Sequence, residues 1–121
     1  MPIAARVMGG GFSAGQARAL AGGVAATVSA AGTTQGTATA LVASKNLVST
    51  VAASAGVRLP LVEIGDDVLI YNGGANALTV YPPTSGRINV ASTNTGISLG
   101  TETAIIITRM SSTRWVAILS A

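Results

Sequence analysis

From Thr34 to the end of the chain, short runs of β-branched and apolar residues recur about every ten residues, separated by Gly, Pro, Asn and Ser and without a helical period. That pattern restricts the region to β-structure. Strands are predicted over 37–42, 46–51, 67–72, 77–81, 87–90, 103–109 and 114–119, where Val, Ile, Thr and Tyr are concentrated. Gly73-Gly74-Ala75-Asn76 offers the positive φ angles of a tight turn, so 67–72 and 77–81 read as a hairpin. Pro82-Pro83 ends the second of these strands, because proline cannot donate to a ladder. A second hairpin is predicted at 103–109 and 114–119, joined by Met110-Ser111-Ser112-Thr113. The fold expected is all-β: an antiparallel β-sandwich or a jelly-roll-like small barrel.

Residues 1–33 differ in composition, with Gly9-Gly10-Gly11, Gly22-Gly23, many Ala and few large side chains. They are expected to be a Gly/Ala-rich N-terminal arm preceding a β-domain over 34–121. Ser13 and Gln16 have the spacing of a capping box, which predicts a short helix near 14–21 ended by Gly22-Gly23. A helix this short is marginal alone in water, so Phe12, Ala17 and Leu20 need a surface to order it.

The 121 residues are 49% hydrophobic but only 9% charged and 3% aromatic, and they contain neither His nor Cys. Without those two residue types there is no disulfide framework, zinc cluster, thiol nucleophile or histidine base. Much of the hydrophobic fraction is Ala, which stabilises a core less per residue than Leu, Ile or Phe. Burial between subunits offsets such a deficit, and the low charge points the same way, since ordinary domains carry about 25% charged residues. A homo-oligomer, trimer or dimer, is therefore expected. The net charge of +3 comes from Arg6, Arg18, Lys45, Arg58, Arg87, Arg109 and Arg114 against four acids. The cations are scattered singly without aromatic interleaving, which argues against nucleic acid as a partner. No apolar run approaches the length of a membrane span, and the start of the chain has no signal-peptide pattern, so a protein assembled in the cytoplasm is expected.

The remaining chemistry is thin. The Gly9–Gly15 region lacks the preceding strand and the following Lys-Ser/Thr of a phosphate loop. Asp66 and Asp67, with Asn72 or Asn76, are weighed as a calcium site, but adjacent strand residues point to opposite faces. The same divergence separates Ser44 from Lys45 as nucleophile and base. Glu63 and Glu102 lack any spacing that would set them across a cleft. No catalytic residue, metal site or cofactor is assigned. Tyr71, Tyr81 and Trp115 are the large rings of the strand region, suited to covering the edge of the core or a subunit interface or, alternatively, to stacking on a glycan.

The segments Gly56-Val57-Arg58-Leu59-Pro60, Gly65-Asp66-Asp67-Val68-Leu69-Ile70-Tyr71-Asn72-Gly73-Gly74-Ala75-Asn76-Ala77-Leu78-Thr79-Val80-Tyr81-Pro82 and Gly86-Arg87-Ile88-Asn89, with the ending Ser112-Thr113-Arg114-Trp115, resemble small structural proteins of tailed bacteriophages. The resemblance is to head decoration (cement) proteins and to β-modules of tail fibres, and it spans about residues 33–121. It implies a non-enzymatic virion protein that binds the outside of the capsid, contacts the major capsid protein and stabilises the head. Arg6, Phe12, Arg18 and Leu20 of the arm, with Arg58 and Arg87, are the contact residues this reading selects. The alternative is a receptor- or glycan-binding module of a tail fibre or baseplate, in which Tyr71, Tyr81 or Trp115 would form an exposed platform.

Overall fold

A computed structural model describes residues 24–119 of the chain. The helix expected near 14–21 and the contact candidates Arg6, Phe12, Arg18 and Leu20 lie outside the described residues. Ten strands form, with no helix among the described residues: β1 (Val24–Ala30), β2 (Thr39–Ala40), β3 (Lys45–Val51), β4 (Gly56–Arg58), β5 (Asp67–Asn72), β6 (Leu78–Tyr81), β7 (Arg87–Ile88), β8 (Ile97–Leu99), β9 (Thr103–Arg109) and β10 (Arg114–Leu119). They make a six-stranded sheet in the order β1-β3-β5-β9-β10-β7 and a four-stranded sheet in the order β2-β4-β6-β8. Period-two alternation decides what each strand buries. Val68, Ile70 and Asn72 of β5 are buried while Asp67, Leu69 and Tyr71 face away from the core. One core collects Val48, Ile70, Ile105, Ile107 and Trp115 from the larger sheet and Val57, Leu78, Val80 and Leu99 from the smaller. Trp115, 1% exposed, is its bulkiest member.

The path of the chain corrects the antiparallel expectation. β1, β3 and β5 run parallel to one another in the larger sheet, with Lys45 beside Val24 on one side and Leu69 on the other. β2, β4 and β6 do the same in the smaller sheet, with Val57 between Thr39 and Val80. Each strand is thus followed by a crossing to the other sheet, and the first six strands wind as solenoid-like turns. Antiparallel pairing enters only afterwards, as β8 joins β6, β9 joins β5 and β10 joins β9. The fold is all-β as expected, but its sheets are mixed, which neither an antiparallel sandwich nor a jelly roll is.

The hairpin expected at 67–72 and 77–81 does not form, because β5 and β6 lie in different sheets. Gly73-Gly74-Ala75-Asn76 is instead the corner between them. Asn72, with no exposed surface, donates from Nδ2 to the carbonyls of Asn76 (2.9 Å) and Leu99 (3.0 Å) and accepts from the Gly74 N–H (2.9 Å). Those bonds fold the loop over the end of the core and fasten it to β8. Gly74 presses so closely on Val51 that a Cβ would come within 2.6 Å of its Cγ2. The second expected hairpin does form: Met110 N–H donates to Arg114 O (2.9 Å) and Trp115 lies opposite Arg109. Residues 24–30, on the arm side of the composition boundary, are the edge strand β1, in which Val24, Thr27 and Val28 are diluted by Ala. No helix of the described residues is long and apolar enough to cross a membrane.

Candidate assembly surface

The two sheets turn very different outer faces to the surroundings. On the smaller sheet the outward positions are Gly56, Arg58, Thr79, Tyr81 and Ser98, a mostly polar set. The Tyr81 ring lies over Gly56 and Gly96, where an added Cβ would come within 2.7 Å and 3.0 Å of it, and its hydroxyl donates to Thr33 O (3.0 Å). On the larger sheet the register sets Leu69, Ile106 and Ile118 in one row across three strands, with Lys45 at its β3 end. Leu47, Tyr71 and Ala104 form the next row, and Asp67, Thr108 and Val116 the row on the other side. Ile118 is 71% exposed, Leu119 48%, Ile106 46%, Val116 39% and Leu47 38%. Leu69, Ala104, Ile106, Ile118 and Leu119 line a shallow depression of about 190 Å³. Leu119 is in phase with Trp115 and not with this face; covering the other four exposed side chains, Leu47, Ile106, Val116 and Ile118, removes the equivalent of about two aliphatic groups from water, which contributes about 3–6 kcal/mol. Association costs about 4–15 kcal/mol, so this apolar surface brings binding to the threshold and the polar rim decides it.

That rim is charged at opposite ends of the strands. Glu102 immediately precedes β9, hydrogen-bonds through its N–H to Asn72 O (2.7 Å) and accepts the Tyr71 hydroxyl on Oε2. The same bond, followed by partial desolvation and the charge of Glu102, raises the Tyr71 phenol above its ordinary value. At the other end Arg114 opens β10, in register with Arg87 of β7. Ile88 and Trp115 both point into the core, so Arg87 and Arg114 stand side by side on the outer face. Among the described residues the buried Arg87 Nε has no hydrogen-bond partner.

The residues selected from the sequence do not converge. Arg58 is half-buried on the smaller sheet, where it donates to Gln35 O (3.1 Å) beside an open depression of about 500 Å³ lined also by Leu41, Leu59, Pro60 and Pro83. Arg87 is on the larger sheet. Tyr71 and Tyr81 occupy opposite outer faces, and Trp115 is inside the core. A shared three-ring platform is therefore not built, and the glycan alternative is left with a single tyrosine on either face. Asp66 and Asp67 also diverge: Asp66 Oδ2 accepts the Glu63 N–H (3.0 Å), while Asp67 accepts the Thr108 hydroxyl. Partial burial raises the Asp66 pKa, against the lowering effect of the Glu63 bond and with smaller contributions from the charges of Glu63 and Asp67. Among the described residues no group of three or more acidic, His or Cys side chains could hold a metal. Ser44 is buried and Lys45 exposed, so they face opposite sides of β3.

Sequence reasoning missed the residues that tie this end of the sheet together. Arg109 lies over the Trp115 ring (5.9 Å to its centroid) and donates to the carbonyls of Val62, Ser111 and Ser112, tying three segments together. Asn89 accepts the Ala117 N–H (2.9 Å) and donates to Ala117 O (3.2 Å), which extends the β7–β10 pairing with a side chain. A signal existed in Asn72 and Asn89, since an Asn closing a strand commonly bonds nearby backbone. Comparison with known proteins finds no matching family model, no matching curated protein and no matching solved structure.

Proposed function

We propose that the chain is a non-enzymatic structural protein of a tailed-phage virion, a homo-oligomer that binds the outside of the capsid and stabilises the head. The observation that carries the assembly part of this reading is the apolar outer face of the six-stranded sheet, set against a polar face on the other side of the same domain. An exposed apolar area of this kind, rimmed by charge, is what assembling subunits present. The phage location comes from the sequence resemblance over about residues 33–121. The partner on the shell is the major capsid protein, and the arm residues Arg6, Phe12, Arg18 and Leu20 are the proposed contacts, with Arg58 and Arg87 in support. A protein that binds the assembled lattice and not its free subunits stabilises the lattice by mass action. An oligomer multiplies weak contacts through effective concentration.

The test is direct. Purified protein is mixed with heads that lack it, and the mixture is sedimented and then heated. Co-sedimentation with a gain in heat resistance is expected. Heads that pellet without the protein and open at an unchanged temperature overturn the proposal.

A further inference from the structure

We infer that the outer face of the six-stranded sheet closes on the same face of a second copy, about a two-fold axis running across the strands along the Leu69–Ile106–Ile118 row. This rests on the assembly reading for the claim that the face is covered. The identity of the occupant comes from the register. Glu102, in the turn that enters β9, precedes Ile106 by four residues, and Met110, which follows β9 and lies opposite Arg114, comes four residues after Ile106. Glu102 and Arg114 therefore flank the apolar row on opposite sides, each about four residues from it along the β9 direction. A two-fold along that row lays each copy's Arg114 end over its partner's Glu102 end. An isologous contact requires this kind of self-complementarity, in which a surface offers both halves of each pair.

The side chains at the two ends are available for it. Among the described residues the Arg114 side chain has no hydrogen-bond or ion-pair partner, and its register neighbour Arg87 leaves a buried Nε unbonded there. Two cations side by side on neighbouring strands repel each other, and a carboxylate brought in from a partner relieves that repulsion. Glu102 is exposed and receives the Tyr71 hydroxyl on Oε2, which leaves Oε1 to accept from across the contact. Lys45 continues the row at β3, between Leu69 and Val24 of the edge strand, and meets its own symmetry mate, a repulsion next to the sheet edge. Asp67, two positions from Leu69, comes opposite Tyr71 of the second copy, a hydroxyl-bearing ring two positions on the other side.

The experiment uses the full-length chain in sedimentation equilibrium and native mass spectrometry. A concentration-dependent species of twice the 11.9 kDa chain mass is expected. Arg114→Glu and Glu102→Arg each weaken dimerisation about tenfold or more, because each puts like charges at both ends of the contact. The equimolar mixture of these two variants forms a heterodimer with wild-type affinity, since each end then pairs opposite charges. Lys45→Met tightens the dimer, and Ile118→Asp abolishes it while the circular dichroism spectrum is kept. A monomeric wild-type chain, a trimer, or a mixture of folded variants that fails to restore association overturns the inference. Dimers that ignore heads would sink the capsid proposal alone, and trimers that bind heads would sink this one alone.

Discussion

Replacing Asn72 with Ala probes the corner that sends the chain from one sheet to the other. The side chain has no exposed surface and makes three hydrogen bonds, to Asn76 O, Leu99 O and the Gly74 N–H, all within 3.0 Å. Truncation leaves three backbone groups without this partner at a buried site. At about 1–3 kcal/mol for each group left unsatisfied, and with partial relief from water entering the gap, the expected loss is about 3–6 kcal/mol. Small domains are stable by only about 5–15 kcal/mol, so the variant retains a fraction of the fold's stability. Urea unfolding followed by the fluorescence of Trp115, at fixed protein concentration because association also contributes, measures the difference. Asn72→Asp sharpens the test, since it keeps the shape and turns a carboxylate toward two carbonyl acceptors. Burial raises the carboxyl pKa in the folded state of that variant. Its protonated form is favoured by folding, so the relative stability of Asn72→Asp is greatest below the unfolded value of about 3.9 and is lost as pH rises through the folded one. A cost under about 1 kcal/mol for Asn72→Ala would refute the view that this amide fixes the corner.

Two further outcomes follow from local geometry. Gly74→Ala drives a Cβ against Val51, whose side chain and backbone N lie 2.6–2.8 Å from its ideal position. Overpacking of that kind costs about 1–3 kcal/mol, and a lowered urea midpoint checks it, whereas an unchanged midpoint contradicts the close approach. Tyr71 ionises above the usual phenol range because its hydroxyl donates to Glu102. The raised value means a contribution to stability that is present below the unfolded phenol pKa of about 10 and is lost as pH rises through the folded one. Glu102→Gln shifts the Tyr71 transition down in a titration of absorbance at 295 nm. A transition that stays in place contradicts the bond.

Seven of the ten strands were legible, β1, β4 and β8 being missed, because β-branched residues in alternation state which side of a sheet each residue takes. β5, β9 and β10 occupy the stretches where Val68-Leu69-Ile70, Ile105-Ile106-Ile107 and Trp115-Val116 stand. Beyond the β9–β10 hairpin, pairing partners were not legible, because alternation carries no information about which strand lies alongside. A loop such as Gly73–Asn76 suits a hairpin and a corner equally, and the choice is made by Asn72 reaching Leu99, a residue distant in sequence. β1 was concealed by Ala, whose small side chain gives little contrast between the faces of VAATVSA. The apolar outer face did leave a mark. The unbroken run Ala104-Ile105-Ile106-Ile107 is apolar on both phases, and strands buried on both sides read that way. Ile105 and Ile107 fill the core, while Ile106 points outward at 46% exposure. Trp115 was weighed for a platform because aromatic residues suit interfaces as well as cores, and its core position depends on Arg109 and β7 closing around it.

The central claim is that this chain works through the outer face of its larger sheet. Hydroxyl-radical footprinting of the full-length protein, under the conditions in which it assembles, reads that face residue by residue. Ile118 and Ile106, 71% and 46% exposed in the single chain, should label as slowly as the buried Ile105 and Ile107, while Tyr81 on the opposite face labels freely. Labelling of Ile118 and Ile106 at the rate of open side chains would contradict the account.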